Sequence, residues 1–560
     1  MTDGVMDYYA TATGRLTAPE GPFAVREAVV QGRAMRVYAA ADVNIVDTLS
    51  RSEQRFHDRT LACEDGRYWT YAELLGASRR LAGALRDRHA IVPGDRVGLA
   101  MRNRPEWFVA FAAIVRAGGV AVLFNSRGAG DELAAAAADV PCRLILADDE
   151  RAERIVAAGV ATPTLALAEI MAAAQDGPAL DDQRVDADAP AVVLFTSGTT
   201  GRPKGAVLTQ RNIANMTVNL QFLSAIGLEM AAHSYGIPVE TLRTMAPRPS
   251  SLLVFPMFHI SGLTVFFMMI ESGGLLTTMR RWNAAAALPQ ISGNTVTMIS
   301  GPPMVLNDLL DAPGAETHLA GVGSIGVGGQ ATPSSLTARI ARAMPRAMQT
   351  SGWGMTEASG NVAAIVGAVA SIKPESCGKP SPVVDLRVVG EDGVDVTPGE
   401  AGELWLGGAL VMAGYCNAAA ATDATLVDGW LRTGDVGRVD GDGFIHLVDR
   451  KKDMVISGGE NIYSAEVERV LGAEGDFVEV ALFGIADARL GERAVAAVTL
   501  RDGARWTEDA VKALARASLA NYKVPTAVCF DLGPFPRNVT GKVDKAQLRA
   551  RFLAQVVETV

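Results

Sequence analysis

One segment of the sequence combines small hydroxyl residues and glycines directly after an apolar run. FTSGTTGRPKG, residues 195–205, contains six consecutive Ser, Thr and Gly residues and follows the apolar residues 192–194. A loop of this kind offers backbone N–H groups and hydroxyls to the oxygens of a phosphate. It lacks the GK[ST] ending of a Walker loop, because Lys204 stands between Pro203 and Gly205, and this disfavours a P-loop NTPase. Taken alone, the segment is equally compatible with a flexible surface turn.

The composition limits the classes of protein that can carry this loop. With 560 residues, 49% of them hydrophobic, the chain is globular and too long for one ordinary core. A net charge of -10 and a pI near 5.3 argue against a general nucleic-acid binder, since no excess of Lys or Arg is available to displace counterions. The five cysteines show no CxxC pairing, so neither a disulfide framework nor a zinc site is indicated. A cytoplasmic location is predicted, because the first residues also lack a secretion signal.

Short apolar runs alternate with helical stretches up to about residue 440. Continuous apolar strands linked by helices are typical of mostly parallel, doubly covered sheets, so we predict a large α/β domain. Pro105 marks a helix start, and Gly118 and Gly119 mark its end. The predicted strands are residues 97–101, 120–124, 144–149, 191–195, 251–255 and 295–300.

The domain organisation is predicted from changes in residue pattern and composition along the chain. We predict a loosely attached N-terminal extension (1–42), a large domain (43–449) and a small α/β domain (450–560). The charged run 449–453 is the best linker candidate, although such a run is more often a solvated face. The apolar stretch 252–270 has the length of a membrane span, but Pro, His, Ser and Gly interrupt it, so a strand, a turn and a buried helix are predicted. No integral membrane span is expected.

Further motifs follow the first loop along the chain. They are PMFHISG (256–262), SGWGMTE (351–357), GELWLGG (402–408), RTGD (432–435), DRKKDMVISGGENIYSAEVE (449–468) and NVTGK (538–542). With these motifs in this order, the chain resembles the adenylate-forming superfamily, which includes acyl-CoA synthetases, aryl-CoA ligases, nonribosomal-peptide adenylation domains and firefly luciferase. The resemblance runs from about residue 43 to 550 and implies a large domain with a β-subdomain followed by a small mobile domain.

The resemblance implies two steps, in which ATP first converts a carboxylate to acyl-AMP and the thiol of CoA then takes the acyl group. ATP, Mg²⁺ and CoA are the implied cofactors. Both partners of the first step are anions, so catalysis is chiefly charge neutralisation and alignment. Thr356 is implied to bind the α-phosphate and Glu357 the Mg²⁺ ion, whereas locally the pair resembles a helix cap. The implied β- and γ-phosphate site consists of Thr196, Ser197, Gly198, Thr199, Thr200, Gly201 and Lys204.

The nucleoside is implied to lie against a second group of residues. Asp435 resembles the aspartate that accepts hydrogen bonds from both ribose hydroxyls, and Arg450 a second ribose contact. Trp353 stands where most relatives carry Tyr, and its indole still offers a flat face beside adenine. The glycine positions and the loop that line the adenine and acyl pockets are Gly328, Gly329, Gln330 and Gly354.

The resemblance implies that the small domain supplies different residues to the active site in each of the two steps. Lys542 resembles the lysine that bridges the carboxylate and α-phosphate oxygens, although without the resemblance a lysine near a C-terminus would be taken as solvated. Lys452 occupies the hinge position. Gly458 and Gly459 lack side chains that would block the pantetheine passage.

His259 has two interpretations, a satisfied core histidine or a gate between the acyl and thiol passages, and both stay open. An α-amino acid is disfavoured, because no Asp accompanies His259 to pair with an ammonium group. The apolar neighbourhood of Ile260, Phe266, Val327 and residues 358–365 predicts a hydrophobic fatty, alicyclic or aromatic acid. Residues 225–250 are interpreted as a surface excursion rather than a pocket mouth.

The prediction is therefore an ATP-dependent acid:CoA ligase with a carboxylic acid and CoA as substrates and no nucleic-acid partner. Alternatives are an acyl-AMP ligase loading a carrier-protein pantetheine, a luciferase-like oxygenase and a non-catalytic nucleotide-binding relative. A homodimer is possible, because dimers are frequent in this superfamily.

Overall fold

The computed structural model describes residues 2–30, 32–41, 44–196, 203–328, 334–458, 460–487, 489–537 and 542–558. Across these ranges, no helix has both the length and the apolar character needed to cross a bilayer. Eight predicted site residues lie outside the described residues, namely Ser197, Gly198, Thr199, Thr200, Gly201, Gly329, Gln330 and Gly459.

Helices and strands alternate along the large domain, as the apolar runs predicted. Up to residue 196 the elements are α1 (Thr2–Thr17), β1 (Val25–Val30), β2 (Arg33–Tyr38), α2 (Ile45–Arg55), β3 (Thr60–Glu64), β4 (Arg67–Thr70), α3 (Tyr71–His89), β5 (Arg96–Ala100), α4 (Pro105–Arg116), β6 (Val120–Leu123), α5 (Gly130–Asp139), β7 (Leu144–Ala147), α6 (Asp149–Ala157), β8 (Thr164–Leu165), α7 (Leu167–Asp176) and β9 (Pro190–Thr196). Those from residue 204 to 380 are β10 (Lys204–Thr209), α8 (Gln210–Tyr235), α9 (Val239–Met245), β11 (Ser250–Leu253), α10 (Ile260–Ser272), β12 (Leu275–Thr277), α11 (Ala284–Gly293), β13 (Met298–Gly301), α12 (Pro303–Asp311), α13 (Ala315–Leu319), β14 (Ser324–Val327), α14 (Ser334–Ala343), β15 (Met348–Met355), β16 (Gly360–Ile365), α15 (Ala368–Ile372) and β17 (Lys379–Pro380).

The remaining elements are mostly strands. They are β18 (Val384–Val389), β19 (Gly402–Gly408), β20 (Gly414–Tyr415), α16 (Ala419–Thr425), β21 (Leu426–Val427), β22 (Trp430–Val439), β23 (Ile445–Arg450), β24 (Val455–Ser457), β25 (Glu460–Ile462), α17 (Ser464–Leu471), β26 (Phe477–Asp487), β27 (Gly491–Leu500), α18 (Glu508–Ser518), β28 (Ala527–Cys529) and α19 (Lys545–Glu558). Two short 3₁₀ helices, Thr356–Ala358 and Asn521–Lys523, complete the set.

Two large sheets form the body of the molecule. The first has the order β20-β10-β9-β6-β5-β7-β8 and the second β17-β16-β15-β14-β13-β11-β12-β3-β4. Strands β9, β6, β5, β7 and β8 run parallel, as do β15, β14, β13, β11, β12 and β3. Helix α4 covers one face with residues that are almost all buried and starts at Pro105, where the missing N–H has no intrahelical partner to lose. The predicted parallel α/β domain is confirmed.

Two smaller units follow the large sheets. An antiparallel sheet of β18, β19, β22, β21 and β23 is the predicted β-subdomain. A five-stranded sheet of β25, β24, β27, β26 and β28, with α17 and α18 packed beside it, is the predicted small C-terminal domain. It has its own buried apolar residues, among them Leu482, Ala496 and Val511. The boundaries proposed at 42/43 and 449/450 stay predictions.

The N-terminal extension packs against the large domain. Tyr9, Ala12 and Leu16 on α1 are buried in the main core. On α8, the Glu229 carboxylate accepts a hydrogen bond from the Tyr8 hydroxyl at 2.8 Å and pairs with the guanidinium of Arg15 at 2.7 Å. The prediction of a loose attachment was therefore wrong, because the apolar spacing of three and four residues on α1 marks a helical stripe that was overlooked.

The segment 225–250 divides into two parts. Helix α8 continues to Tyr235 with Ile226 and Met230 still buried, whereas α9 has no buried residue and both Tyr235 and Met245 are exposed. The surface interpretation is confirmed for the second part only. The apolar stretch 252–270 forms the predicted strand, turn and helix, as β11 and α10.

Candidate active site

A cavity of about 1450 Å³ lies beyond the carboxyl ends of β11, β13 and β14. Residues from both large sheets, the β-subdomain and the small domain line it. The carboxyl ends of parallel strands are the usual place for ligands in open α/β sheets. The predicted site residues that line it are Thr196, Lys204, His259, Gly328, Gly354, Thr356, Glu357, Asp435, Arg450, Lys452 and Lys542.

The two ends of the predicted phosphate loop lie side by side. Thr196 ends β9 and Lys204 begins β10, and the two residues are partners in this antiparallel pair. The Lys204 ammonium lies 5.4 Å from the ring centroid of Tyr415 on β20, which pairs with β10. Thr196 and Lys204, which flank residues 197–202 in the sequence, both line the cavity.

Glu357 is held in place by two hydrogen bonds. It lies in the 3₁₀ helix after β15, where its backbone oxygen accepts from the Met412 N–H at 2.9 Å. Its Oε1 accepts from the Tyr415 hydroxyl at 3.0 Å. Burial, followed by the nearby Glu357 charge, raises the pKa of Tyr415, so the phenol remains a donor. Sequence reasoning missed Tyr415, and its position in the GY dipeptide shortly after GELWLGG is the signal that could have identified it.

The oxygens at this point suit a magnesium ion. Glu357 and the hydroxyl of Thr356 are hard oxygen donors, and both line the cavity. In the described part of the chain, no group of three or more His, Cys, Asp or Glu side chains forms a complete metal cage. Mg²⁺ commonly binds through one or two carboxylates together with substrate phosphates, so the residues present fit an ion that arrives with a nucleotide.

The carboxylate of Asp435 is held from two directions. Asp435 on β22 and Arg450 on β23 are register partners, and the Arg450 Nε lies 3.2 Å from Asp435 Oδ1. The indole Nε1 of Trp353, on β15, donates to Asp435 Oδ2 at 2.7 Å. Both Trp353 and Asp435 are buried. Sequence reasoning predicted each residue for the nucleoside but not the hydrogen bond that joins them.

Lys542 reaches the cavity from the small domain. Burial, and next the Arg450 charge, lower the pKa of Lys542 to about 8, while Asp435 and Glu357 act in the opposite direction. The lysine is therefore not a solvated terminal side chain. Lys452, at the predicted hinge, lines the same cavity and adds to the positive potential at Lys542.

His259 immediately precedes α10 and faces the cavity. Its Nε2 is buried and has no hydrogen-bond partner among the described residues. Burial, followed by the charges of Arg127 and Lys542, lowers the pKa of His259 to about 4, so the imidazole is neutral near pH 7. This histidine is not satisfied within the core, and its gating role stays a prediction.

The acyl side of the cavity differs in one residue from the sequence prediction. Ile260 and Val327 line the cavity, together with Gly360, Asn361 and Ala364 of the predicted segment 358–365. Phe266 does not line it, because its side chain is fully buried in an aromatic cluster and stacks on Phe108 with 5.2 Å between ring centroids. That prediction was wrong, since Phe266 lies on the face of α10 that packs against α4.

Gly354 and Gly458 have different surroundings. A Cβ at Gly354 would lie 1.9 Å from the carbonyl oxygen of Gly360, so only glycine allows β15 and β16 to approach this closely. Gly458 is exposed, has a φ of +63° and donates its N–H to Leu490 O at 2.8 Å. It does not line the cavity, and its contact with pantetheine stays a prediction for a rotated small domain.

Comparison with known proteins agrees with this geometry. Residues 49–416 match the model of the AMP-binding enzymes, and residues 466–542 match that of the AMP-binding enzyme C-terminal domain. The chain belongs to the AMP-binding enzyme family, within the adenylate-forming superfamily.

The similar proteins are CoA ligases. A feruloyl-CoA synthase of Amycolatopsis sp is 36% identical over 486 residues, 86% of this chain and 94% of that protein. An indoleacetate–CoA ligase of Aromatoleum aromaticum is 32% identical over 509 residues, 88% of this chain and 94% of that protein. The structure of o-succinylbenzoate CoA synthetase from Bacillus subtilis with its acyl-adenylate intermediate has a TM-score of 0.74, at 29% identity and 90% and 97% coverage of this chain and that one. These findings confirm the predicted fold, superfamily and class of enzyme, an acid:CoA ligase.

Proposed function

We propose that the chain uses ATP and Mg²⁺ to activate a hydrophobic carboxylic acid, with aryl-substituted acids as the favoured class, and then transfers the acyl group to CoA. The observation that carries this proposal is the convergence of Thr356, Glu357, Asp435, Arg450 and Lys542 on one cavity. These five residues come from the large domain, the β-subdomain and the small domain. A binding protein for a neutral ligand would have no need for this set of charges.

In the first step a carboxylate oxygen of the acid attacks the α-phosphorus of ATP. A P–O bond to the carboxylate forms as the bond to the β-phosphate oxygen breaks, and pyrophosphate leaves in line. Lys542 donates to the carboxylate and the α-phosphate oxygens, and Thr356 donates to the α-phosphate. The same contacts hold the two repelling anions together and stabilise the charge that develops in the transition state.

Different residues would hold the metal and the ribose. Mg²⁺, when bound at Glu357, would neutralise phosphate charge. Tyr415 keeps the Glu357 carboxylate oriented through its hydroxyl. Asp435 accepts from the ribose hydroxyls, and Arg450 compensates its buried charge.

In the second step the sulfur of CoA attacks the acyl carbonyl, the thiol loses its proton, and AMP leaves with the electron pair of the anhydride C–O bond. Lys542 occupies the cavity in this structure, where it would obstruct an entering thiol. Rotation of the small domain about Lys452 would withdraw it and bring Gly458 and Gly459 to the thiol passage. The imidazole of His259 is neutral, so a thiol could pass it without forming an ion pair with it.

The preference for an aryl acid is supported by the walls near His259. The cavity lining includes five apolar side chains, those of Ile260, Val265, Met304, Val305 and Val327. It also includes Arg127, whose charge acts on His259. Apolar walls of this kind stabilise an aryl or alkyl group by removing it from water. Ferulate and indoleacetate, the acids in the names of two relatives, are both aryl-substituted.

A panel of acids tests the proposal. Purified protein is supplied with ATP, Mg²⁺ and ferulate, indoleacetate, octanoate, malonate or phenylalanine, and pyrophosphate release and thioester formation are followed with free CoA and with a holo-carrier protein. We expect release with the aryl acids, weaker release with octanoate, and a thioester with CoA. Preference for malonate or phenylalanine would contradict the acid class, and a thioester formed only on the carrier protein would contradict the acceptor. Light scattering of the same sample tests the possible homodimer.

A further inference from the structure

The indole of Trp353 makes a short hydrogen bond to the carboxylate that, in the proposed function, binds the ribose. Its Nε1 donates to Asp435 Oδ2 at 2.7 Å, although the two residues are 82 positions apart and lie in different sheets. The indole is 4% exposed and Asp435 is 8% exposed. Trp353 is not among the residues that line the cavity, and it contacts the site through this hydrogen bond to Asp435.

The hydrogen bonds at Asp435 leave a defined set of acceptor positions. Each carboxylate oxygen can accept about two hydrogen bonds in the plane of the group. Arg450 lies at Oδ1 and Trp353 donates to Oδ2, and each oxygen has the capacity to accept one hydrogen bond beyond these two contacts. Because the two groups lie on different strands and contact different oxygens, they restrain the rotation of the carboxylate.

We propose that Trp353 is a positioning residue for Asp435, whose indole N–H orients the carboxylate for simultaneous hydrogen bonds to the 2′- and 3′-hydroxyls of the nucleotide. The inference rests on the proposed function, because it assigns Asp435 to the ribose. An aromatic residue without a ring N–H would keep a packed ring at this position and lose the orientation of Asp435.

Trp353→Phe separates these two roles. Binding of ATP is measured by calorimetry without any acid, and 2′-deoxy-ATP and 3′-deoxy-ATP are measured in parallel. We expect the ATP affinity of the variant to fall about tenfold, which corresponds to about 1.4 kcal/mol. The two deoxynucleotides should lose less affinity, so discrimination in favour of ATP declines, while kcat at saturating ATP stays within about threefold of the wild-type value.

A second tryptophan offers a matched control. Trp506 Nε1 donates to Asp476 Oδ2 at 3.0 Å in the small domain, away from the cavity lining. Trp506→Phe removes the same kind of bond and should leave ATP affinity and nucleotide discrimination unchanged. Equal losses in Trp353→Phe and Trp506→Phe would overturn the proposal.

A double-mutant cycle tests whether Trp353 acts through Asp435. In an Asp435→Ala background, Trp353→Phe should have no further effect on ATP affinity. The full tenfold loss in that background would show that the indole acts on the base and would overturn the inference. An unchanged ATP affinity in Trp353→Phe alone would do the same.

A spectroscopic measurement on chains that keep Trp353 covers the case in which Trp353→Phe fails to fold. With ¹⁵N-labelled indole groups, the Trp353 N–H resonance should shift in Asp435→Asn and on addition of ATP, and a resonance insensitive to both would overturn the proposal. Failure of the proposed function is distinct, since the wild-type protein would then bind no ATP or release no pyrophosphate with any acid.

Discussion

The ribose side and the lysine side of the cavity hold their charges in different ways. On the ribose side, Asp435 is paired with Arg450 through strand register and with Trp353 through a hydrogen bond of 2.7 Å. On the lysine side, burial and the neighbouring Arg450 charge disfavour the ammonium of Lys542. The first arrangement consists of protein groups alone, whereas in the proposed function the substrate anions would add to the stabilisation of the second. The difference indicates that binding is preorganised and that the catalytic charge depends on the substrate.

Loss of Lys542 should have the largest effect. For Lys542→Ala we expect acid-dependent pyrophosphate release to fall at least about 100-fold, because the charge that joins carboxylate and α-phosphate is gone. Thioester formation from supplied acyl-AMP should stay within about threefold. Lys512→Ala, at a partly buried small-domain lysine that bonds to Thr526 and Glu508 away from the cavity, is the control and should change neither step. Equal damage to both half-reactions by Lys542→Ala would contradict its assigned role.

Removal of Asp435 should act mainly on nucleotide binding. We expect Asp435→Ala to raise the KM for ATP by about 10- to 100-fold, since hydrogen bonds to a charged group are worth about 1.5–3 kcal/mol. The KM for the acid should change much less. Asp442→Ala, which removes an aspartate that pairs with Lys373 outside the cavity, serves as the control. An unchanged KM for ATP in Asp435→Ala would remove this residue from the ribose site.

Tyr415 lies between the two sides and should affect the metal. Tyr415→Phe removes the hydroxyl that donates to Glu357, so the Mg²⁺ concentration for half-maximal rate should rise about tenfold, as expected for a partner of a metal-binding carboxylate. Titration of Mg²⁺ at saturating ATP and acid measures this. Tyr522→Phe, at an exposed tyrosine of the small domain, should leave the titration unchanged. A Tyr415→Phe titration that matches the wild type would contradict the positioning of Glu357.

The pH dependence of pyrophosphate release should reflect the protonation state of Lys542. The protonated lysine is the form that neutralises phosphate, and burial lowers its pKa to about 8. The value of kcat/KM for the acid in pyrophosphate release should therefore fall as pH rises through about 8. His259, whose pKa burial lowers to about 4, should give no change near 6.5. In Lys542→Arg, the remaining kcat/KM for the acid should not decrease as the pH rises through about 8, because arginine stays protonated there. If the decrease persists in this variant, it belongs to another group.

The smallest expected effect is on thermal stability and concerns the N-terminal extension, which belongs to neither side of the cavity. Tyr8→Phe removes a hydrogen bond to the buried Glu229 carboxylate and should lower the thermal midpoint by about 1–3 °C, with pyrophosphate release unchanged. Differential scanning fluorimetry measures the midpoint. A loss of activity at an unchanged midpoint would show that α1 affects the site rather than stability.

Sequence reasoning predicted the elements with strong local signals. The apolar runs predicted β5, β6, β7, β9, β11 and β13, and Pro105 marked the start of α4. Motifs identified residues of one site because each has a local pattern. Tyr415 and the bond from Trp353 to Asp435 could not be derived this way, because they depend on how strands distant in sequence pack together. Phe266 was misplaced because an apolar sequence does not reveal which face of a helix borders a cavity.

Exchange of labelled pyrophosphate into ATP, without CoA, tests the central claim that this cavity joins a carboxylate to AMP. The account predicts exchange that requires both Mg²⁺ and a hydrophobic acid, survives omission of CoA, and is lost in Lys542→Ala while ATP still binds. Exchange that proceeds equally well without any acid, or that persists unchanged in Lys542→Ala, would contradict it.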